Sequence, residues 1–387
     1  MAQVLEPGVR STGERPSLGS LQAARAVAAL LVVLFHATSL SHERLGAHLF
    51  RGVFTFGFVG VDFFFVLSGF IIYYVNAGRD HGDHFSTYLA KRLLRVFPIY
   101  WIVSGVKVAL LLLVPSAAKP HELQPGFLIA SFLLAPQPVL PIIGAAWTLS
   151  YELLFYLVFG VAVAVKGRTL PIVLMAWMTL VAGGQVLLAM RVVDARWLYL
   201  LEFLANERNA EFVLGAAAAY LVTSRRIGVW PAVASLLSGL ALFALSSAEL
   251  VGGHDIAWYS IRFGLPSMLI VVGLSGLELR NGLRVPSSLR FLGDASYAIY
   301  LTHAFFLGLL FKVLEAFAGR LNWRGGQSAA VVAAICSAIA AGCVVHLLVE
   351  RPVLATLRAR LLRREHRGPS STTQRLSLHG QDVGGLS

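Results

Sequence analysis

Ten long apolar segments between residues 21 and 349 constrain the fold of this chain more than any other feature of its sequence. Helices of this length and polarity cross a hydrocarbon core that is about 30 Å thick. The chain is 57% hydrophobic and only 13% charged, which is roughly half the charged fraction of a soluble domain. The segments also lack the two-residue period of a membrane barrel. The predicted helices cover residues 21–40, 56–77, 97–114, 145–165, 169–190, 209–223, 229–250, 257–278, 291–317 and 327–349.

The pattern therefore predicts an all-α polytopic membrane protein with about ten transmembrane helices. The basic loops satisfy the positive-inside rule when both termini are cytoplasmic. We predict a disordered N-terminus over 1–18, a membrane domain over 19–350, and a tail over 351–387 that is basic and then disordered. Prolines within 127–143 predict an interfacial or re-entrant loop there. We expect a multi-pass protein of the inner cell membrane. We expect no binding of nucleic acid, because the net charge of +12 comes mostly from the excess of basic residues in the cytoplasmic loops.

Two ionisable residues share one stripe of the first predicted helix. Arg25 and His36 are eleven residues apart, so a helix brings them to within roughly 20° of each other, about 16 Å apart along its axis. An ionisable group inside a bilayer costs on the order of 2.5–3.5 kcal/mol by insertion scales. This cost favours a functional role for the pair.

Counting 1.5 Å per residue from the predicted helix ends gives each buried polar group an approximate depth. One layer inside the membrane then contains His36, Asp62, Glu152 and His303. A second layer at the cytoplasmic face contains Arg25, Lys91, Arg92 and Arg95. This arrangement predicts an anionic cytoplasmic ligand whose reactive end reaches into the membrane.

A coenzyme A thioester fits this description. Arginine binds phosphate oxygens bidentately, so Arg25, Arg92 and Arg95 are the predicted donor site. His36 is the predicted catalytic centre, either as general base for an acceptor hydroxyl or as transient acyl acceptor. We expect Asp62 or Glu152 to orient its ring.

Several segments resemble the acyltransferase-3 family of membrane proteins, which O-acylate carbohydrates. They are the Arg25-to-His36 spacing, GFVGVDFFFVLSGF (57–70), RLLRVFPIYW (92–101), WTLSYELLFY (147–156), FLGDASYAIYLTH (291–303) and VERPV (349–353). The resemblance implies an acyl-CoA donor, usually acetyl-CoA. It also implies a glycan or lipid-linked saccharide as acceptor, such as exopolysaccharide, O-antigen or a nodulation oligosaccharide. We expect no metal, because no further ligands cluster near His81 and His84 in the sequence. A partner acyltransferase or polysaccharide-export protein is a further expectation.

Other interpretations of these residues stay open. The buried groups would serve packing or structural ion pairs in one alternative, and Arg92 and Arg95 would serve only topology. Asp294 is expected to cap a helix, and His81 and His84 to lie in a solvated loop. A secondary transporter for an anionic or sugar-linked substrate, or a non-catalytic subunit of an export complex, would also contain intramembrane charges.

Overall fold

The computed structural model describes residues 16–47, 49–76, 85–164, 169–254, 257–318 and 327–366, and all regular structure there is helical. The expected all-α class is thus confirmed for these residues. The N-terminal and C-terminal segments predicted to be disordered lie almost wholly outside them, as do His81 and His84.

The α-helices are α1 (Gly19–Leu45), α2 (Gly60–Asn76), α3 (Phe85–Leu113), α4 (Pro125–Leu133), α5 (Trp147–Ala164), α6 (Leu170–Met190), α7 (Ala195–Leu204), α8 (Asn209–Ser224), α9 (Val229–Val251), α10 (Leu265–Asn281), α11 (Ser287–Ala318), α12 (Gln327–Val345) and α13 (Arg351–His366).

Nine helical stretches in the described part of the chain are long and apolar enough to cross a membrane. The predicted helix over 209–223, which is not among these nine, is present as α8, but its 16 residues span only about 24 Å. A 3-10 segment (Leu49–Val59) leads into α2, and π-helical turns precede α10 and α13. The side of the membrane on which each terminus lies remains a prediction.

The segment over 127–143 does not form a spanning helix, in agreement with the prediction from its prolines, but its first residues belong to α4 and not to a loop. The nine-residue α4 ends at Leu133, and irregular chain follows. Tyr100 of α3 donates a hydrogen bond to the Ser131 carbonyl at 2.6 Å. The Ile142 N–H donates to the Ser131 hydroxyl at 3.1 Å. The first bond ties the segment to α3 and the second closes the segment on itself. The residues that lead into α5 are buried, at Ile142 and Ala146.

Two predicted helix starts were wrong, and both errors concern candidate site residues. Helix α3 begins at Phe85 rather than at 97, because apolar residues at helical spacing separate its cations and Tyr88 is buried. Arg92 and Arg95 therefore lie on one face of a helix and not in a loop. Helix α11 begins directly after Pro286, which places Asp294 inside the helix and not at its cap.

Helices α2 and α8 pack with their backbones in contact, which fixes the position of several buried polar groups. A Cβ atom added at Gly69 would collide with the Phe212 carbonyl, and one at Gly215 with the Val66 carbonyl. Small residues allow membrane helices to approach this closely. Asp62 and Ser68 on α2 are thereby held against α8 on one side and α5 on the other.

Candidate active site

Helix α1 carries Arg25 and His36 on one unbroken rod from Gly19 to Leu45. Its first turn is held by a carboxylate from α10. Glu278 accepts hydrogen bonds from the backbone N–H groups of Gly19 and Ser20 at 2.7 and 2.8 Å. This tertiary cap satisfies two of the N–H groups that a helix start leaves without partners. The axial position of Arg25 is thereby fixed.

A cavity of about 70 Å³ lies between α1, α2, α3, α5 and α11. Two guanidinium groups, Arg25 and Arg95, and one carboxylate, Glu152, line it together. Glu152 accepts hydrogen bonds from the Ser68 hydroxyl at 3.1 Å and the Tyr156 hydroxyl at 2.5 Å. The cations thus exceed the carboxylates among the lining residues, as an anion site requires. Further polar lining comes from Thr148, Ser296, Tyr297 and Tyr300.

Arg92 lies beside this cavity, one helical turn before Arg95. Its guanidinium carbon is 5.7 Å from the centre of the Tyr88 ring, and its Nε is buried without a hydrogen-bond partner among the described residues. Arg92, Arg95 and Glu152 all act electrostatically on Tyr156. The structure therefore brings the three predicted donor-site arginines into one region.

Two further carboxylates belong to this region, and the depth argument overlooked both. Asp294 and Glu350 attract the Arg25 guanidinium, as Glu152 does, while Arg95 repels it. Glu350 is buried, and one of its oxygens lies 2.8 Å from Nδ1 of His346. The signal for Glu350 was present in the sequence, since a charged residue directly follows the apolar run of the last predicted helix.

The predicted position of Glu152 beside His36 is wrong. Glu152 contacts Ser68 and Tyr156 and shares the cavity with Arg25. The depth count placed it near His36 because it assumed that the helix enters from the membrane surface. The chain before α5 is itself buried, at Ile142 and Ala146, so α5 begins inside the protein.

His36 lies next to His303 of α11, as the predicted layer required. Their ring centres are 4.9 Å apart. His36 is partly exposed, and no hydrogen bond joins it to any other residue that the structure describes. Neither histidine is among the lining residues of the cavity. Tyr300, which does line the cavity, has its ring centre 5.7 Å from that of His303 and its hydroxyl 3.0 Å from the Ala145 carbonyl.

Asp62 also lies apart from His36 and contacts an arginine that the sequence analysis missed. The carboxylate is fully buried and accepts a hydrogen bond from Nε of Arg208 at 3.1 Å. The Arg208 guanidinium lies 5.6 Å from the ring centres of both Trp147 and Tyr259. Glu211, buried on α8, interacts with the same carboxylate.

The expected hydrogen bond from the imidazole of His36 to the Asp62 carboxylate is therefore absent from this structure. Its buried charge is instead balanced by a cation 146 positions later in the chain. The charged residues of NERNAEF (206–212), at the start of a predicted helix, were the signal for this partner.

Comparisons with known proteins identify the family of this chain. A family model described as an acyltransferase domain matches residues 18–347. The exopolysaccharide production protein ExoZ of Rhizobium meliloti (strain 1021) is 32% identical over 85% of this chain and 96% of its own length. The acyltransferase MdmB of Streptomyces mycarofaciens is 27% identical over 88% of this chain and 92% of its own. Nodulation protein 10 of Rhizobium leguminosarum bv. viciae is 25% identical, over 78% and 86%.

No solved structure matches the chain. The family model nevertheless spans the helices that carry every predicted site residue, from Arg25 to His303. The protein is a multi-pass membrane acyltransferase, and it belongs to the acyltransferase-3 family.

Proposed function

We propose that this enzyme transfers an acetyl group from cytoplasmic acetyl-CoA to a hydroxyl of a surface glycan or lipid-linked sugar. The observation that carries the proposal is the placement of Arg25 and His36 on one helix. Arg25 belongs to a cluster of guanidinium groups, and His36 lies about 16 Å further along the same rod. A cation at one end and an imidazole at the other suit a ligand that is phosphorylated at one end and reactive at the other.

Arg25, Arg92 and Arg95 are the proposed donor site. Arg25 and Arg95 face one cavity, and a guanidinium can form two parallel hydrogen bonds to one phosphate. The carboxylate of Glu152 is held by hydrogen bonds from Ser68 and Tyr156. Its negative charge reduces the electrostatic repulsion between the two guanidinium groups.

His36 acts in this proposal as the general base. It accepts the proton of the acceptor hydroxyl while the hydroxyl oxygen attacks the thioester carbonyl. The carbon–sulfur bond then breaks, and the imidazolium returns the proton to the departing thiolate. The products are an O-acyl ester and free coenzyme A. Asp62 supports the site at a distance, by fixing Arg208 and thus the packing of α2 against α8.

A carbohydrate acceptor is supported by the names of two relatives, which associate them with exopolysaccharide production and nodulation. The partly exposed face of His36 provides access for such an acceptor. We place the enzyme in the inner membrane, beside a polysaccharide-export protein or a second acyltransferase that uses the same glycan.

The direct test uses the purified enzyme, radiolabelled acetyl-CoA and lipid-linked saccharide from the native membrane. His36→Ala is expected to lower label transfer by roughly 10²–10⁴-fold, the usual contribution of a general base. His254→Ala is the matched control, because His254 is exposed and hydrogen-bonds only near its own position. Wild-type transfer by His36→Ala would remove His36 from the mechanism.

The donor site and the base mechanism have separate tests. Arg95→Ala is expected to raise KM for acetyl-CoA, whereas Arg226→Ala, at an exposed arginine outside the cavity lining, is not. Rapid quenching in the absence of acceptor should leave the protein unlabelled. Label trapped on His36 would instead establish an acyl-imidazole intermediate.

A further inference from the structure

His303 is fixed in one protonation pattern by its own helix. Its ring is completely buried, and Nδ1 lies 2.5 Å from the carbonyl oxygen of Tyr300. A carbonyl oxygen only accepts hydrogen bonds, so Nδ1 must carry the proton. In the neutral ring the other nitrogen, Nε2, then presents a lone pair.

That lone pair has no partner among the residues that the structure describes, although Nε2 is buried. The large majority of buried polar side-chain atoms are hydrogen-bonded, so an isolated acceptor at this depth calls for an explanation. The imidazole of His36 lies with its ring centre 4.9 Å away, and it too lacks a hydrogen bond to any described residue. One group needs a donor, and its neighbour has an N–H to donate.

We propose that His303 is the positioning residue for His36, with its Nε2 accepting a hydrogen bond from a ring N–H of His36. The second nitrogen of His36 then keeps its lone pair and faces the acceptor hydroxyl. The inference rests on the proposed function, because it assigns a partner to the proposed base. Catalytic hydrogen bonds are often poorly aligned without substrate, and a small rotation of the His36 ring would complete this one.

A neutral imidazole suits this position better than a carboxylate. A carboxylate partner would add a second buried charge close to the base, and the two carboxylates predicted to orient its ring are engaged by other groups. Asp62 accepts from Arg208, and Glu152 from Ser68 and Tyr156. His303 supplies the acceptor that fixes the ring of His36 without adding a charge.

Two substitutions separate the two nitrogens of His303. His303→Asn keeps an N–H near the position of Nδ1, and so keeps the bond to the Tyr300 carbonyl, but removes the acceptor at Nε2. His303→Gln places an amide oxygen near the position of Nε2 and restores that acceptor. We expect kcat to fall about tenfold in His303→Asn, the value of roughly one hydrogen bond, with KM for acetyl-CoA unchanged. His303→Gln should recover most of the lost kcat.

A purely structural role predicts a different result. Both variants would then change activity in proportion to their thermal stability, and the recovery by Gln would be absent. The double variant His36→Ala/His303→Asn gives a second readout, because a residue that acts through His36 has no further effect once His36 is gone. An additional loss of kcat in the double variant would overturn the inference.

The same experiments distinguish failure of the inference from failure of the proposed function. Full activity in His36→Ala would refute the proposed base whatever His303 does. Loss of activity in His36→Ala together with wild-type kcat in His303→Asn would refute only the positioning role.

Discussion

Substitution of Arg208, which pairs with Asp62, tests how much the buried charges of Asp62 and Glu211 depend on this cation for the stability of the fold. Arg208→Met keeps much of the side-chain volume but leaves the carboxyl groups of Asp62 and Glu211 without a cation. Breaking a buried pair by removing one partner costs about 3–5 kcal/mol. The Arg208 side chain is 24% exposed and that of Asp62 is 0%, so we take the lower end of this range. At about 2 °C per kcal/mol, the unfolding temperature should fall by roughly 6 °C.

The exposed ion pair between Arg262 and Glu249 provides the matched control. Its atoms are 2.7 Å apart, closer than those of the Arg208–Asp62 pair, but both side chains are 44% exposed. Arg262→Met should therefore cost less than about 1 kcal/mol. Both variants are measured by thermal unfolding in detergent, with gel filtration of heated samples as the readout. Equal shifts for the two variants would show that burial does not govern the strength of these pairs.

A double-variant cycle adds a test of the partnership itself. Asp62→Asn alone should cost less than Arg208→Met, because it leaves Arg208 with Glu211 as a partner. The double variant should then cost less than the sum of the two single variants, since residues in one ion-pair network are coupled. Simple additivity would show that the two residues stabilise the protein independently.

Three further predictions concern the packing and the helix ends. Gly69→Ala should destabilise the protein by about 3 kcal/mol or more in thermal unfolding, because the added Cβ meets a backbone carbonyl of α8; Gly183→Ala, where the Cβ meets open space, should not. Glu278→Gln should cost about 1 kcal/mol and speed hydrogen exchange in the first turn of α1, and unchanged exchange would refute its capping role. Burial acts to raise the pKa of Glu122, but bonds from a backbone N–H and the Lys107 ammonium outweigh it and lower that pKa. A group with a depressed pKa stabilises the fold above its ordinary value of 4.5 and loses that effect as the pH falls through its folded pKa. The difference in unfolding temperature between wild type and Glu122→Gln should therefore vanish at low pH.

The features that depend on one helix alone were predictable from the sequence. Arg25 and His36 share a stripe of α1 because their spacing along a regular helix determines their relative direction. The absence of a spanning helix over 127–143 followed from its clustered prolines, whose rings cannot continue a helix. His36 and His303 were placed in one layer because the errors in the predicted starts, two residues for α1 and four for α11, are short compared with these helices.

The features that depend on which helices touch were not predictable. Asp62 was assigned to the nearest imidazole in the depth count, whereas its partner Arg208 lies on a distant part of the chain. Glu152 was placed at the wrong depth because α5 begins beneath a buried segment. Hydropathy reports where a helix enters an apolar medium, and it does not distinguish lipid from the interior of the protein.

Because α1 is unbroken between Arg25 and His36, it fixes the distance between the groups that contact the two ends of the proposed ligand. Inserting one residue between Arg25 and His36 would lengthen their separation by about 1.5 Å and turn one side chain about 100° away from the other. Shortening the helix by one residue would misalign them equally. A ligand that contacts both ends is thus selected by its length, and the backbone hydrogen bonds of one helix set the scale.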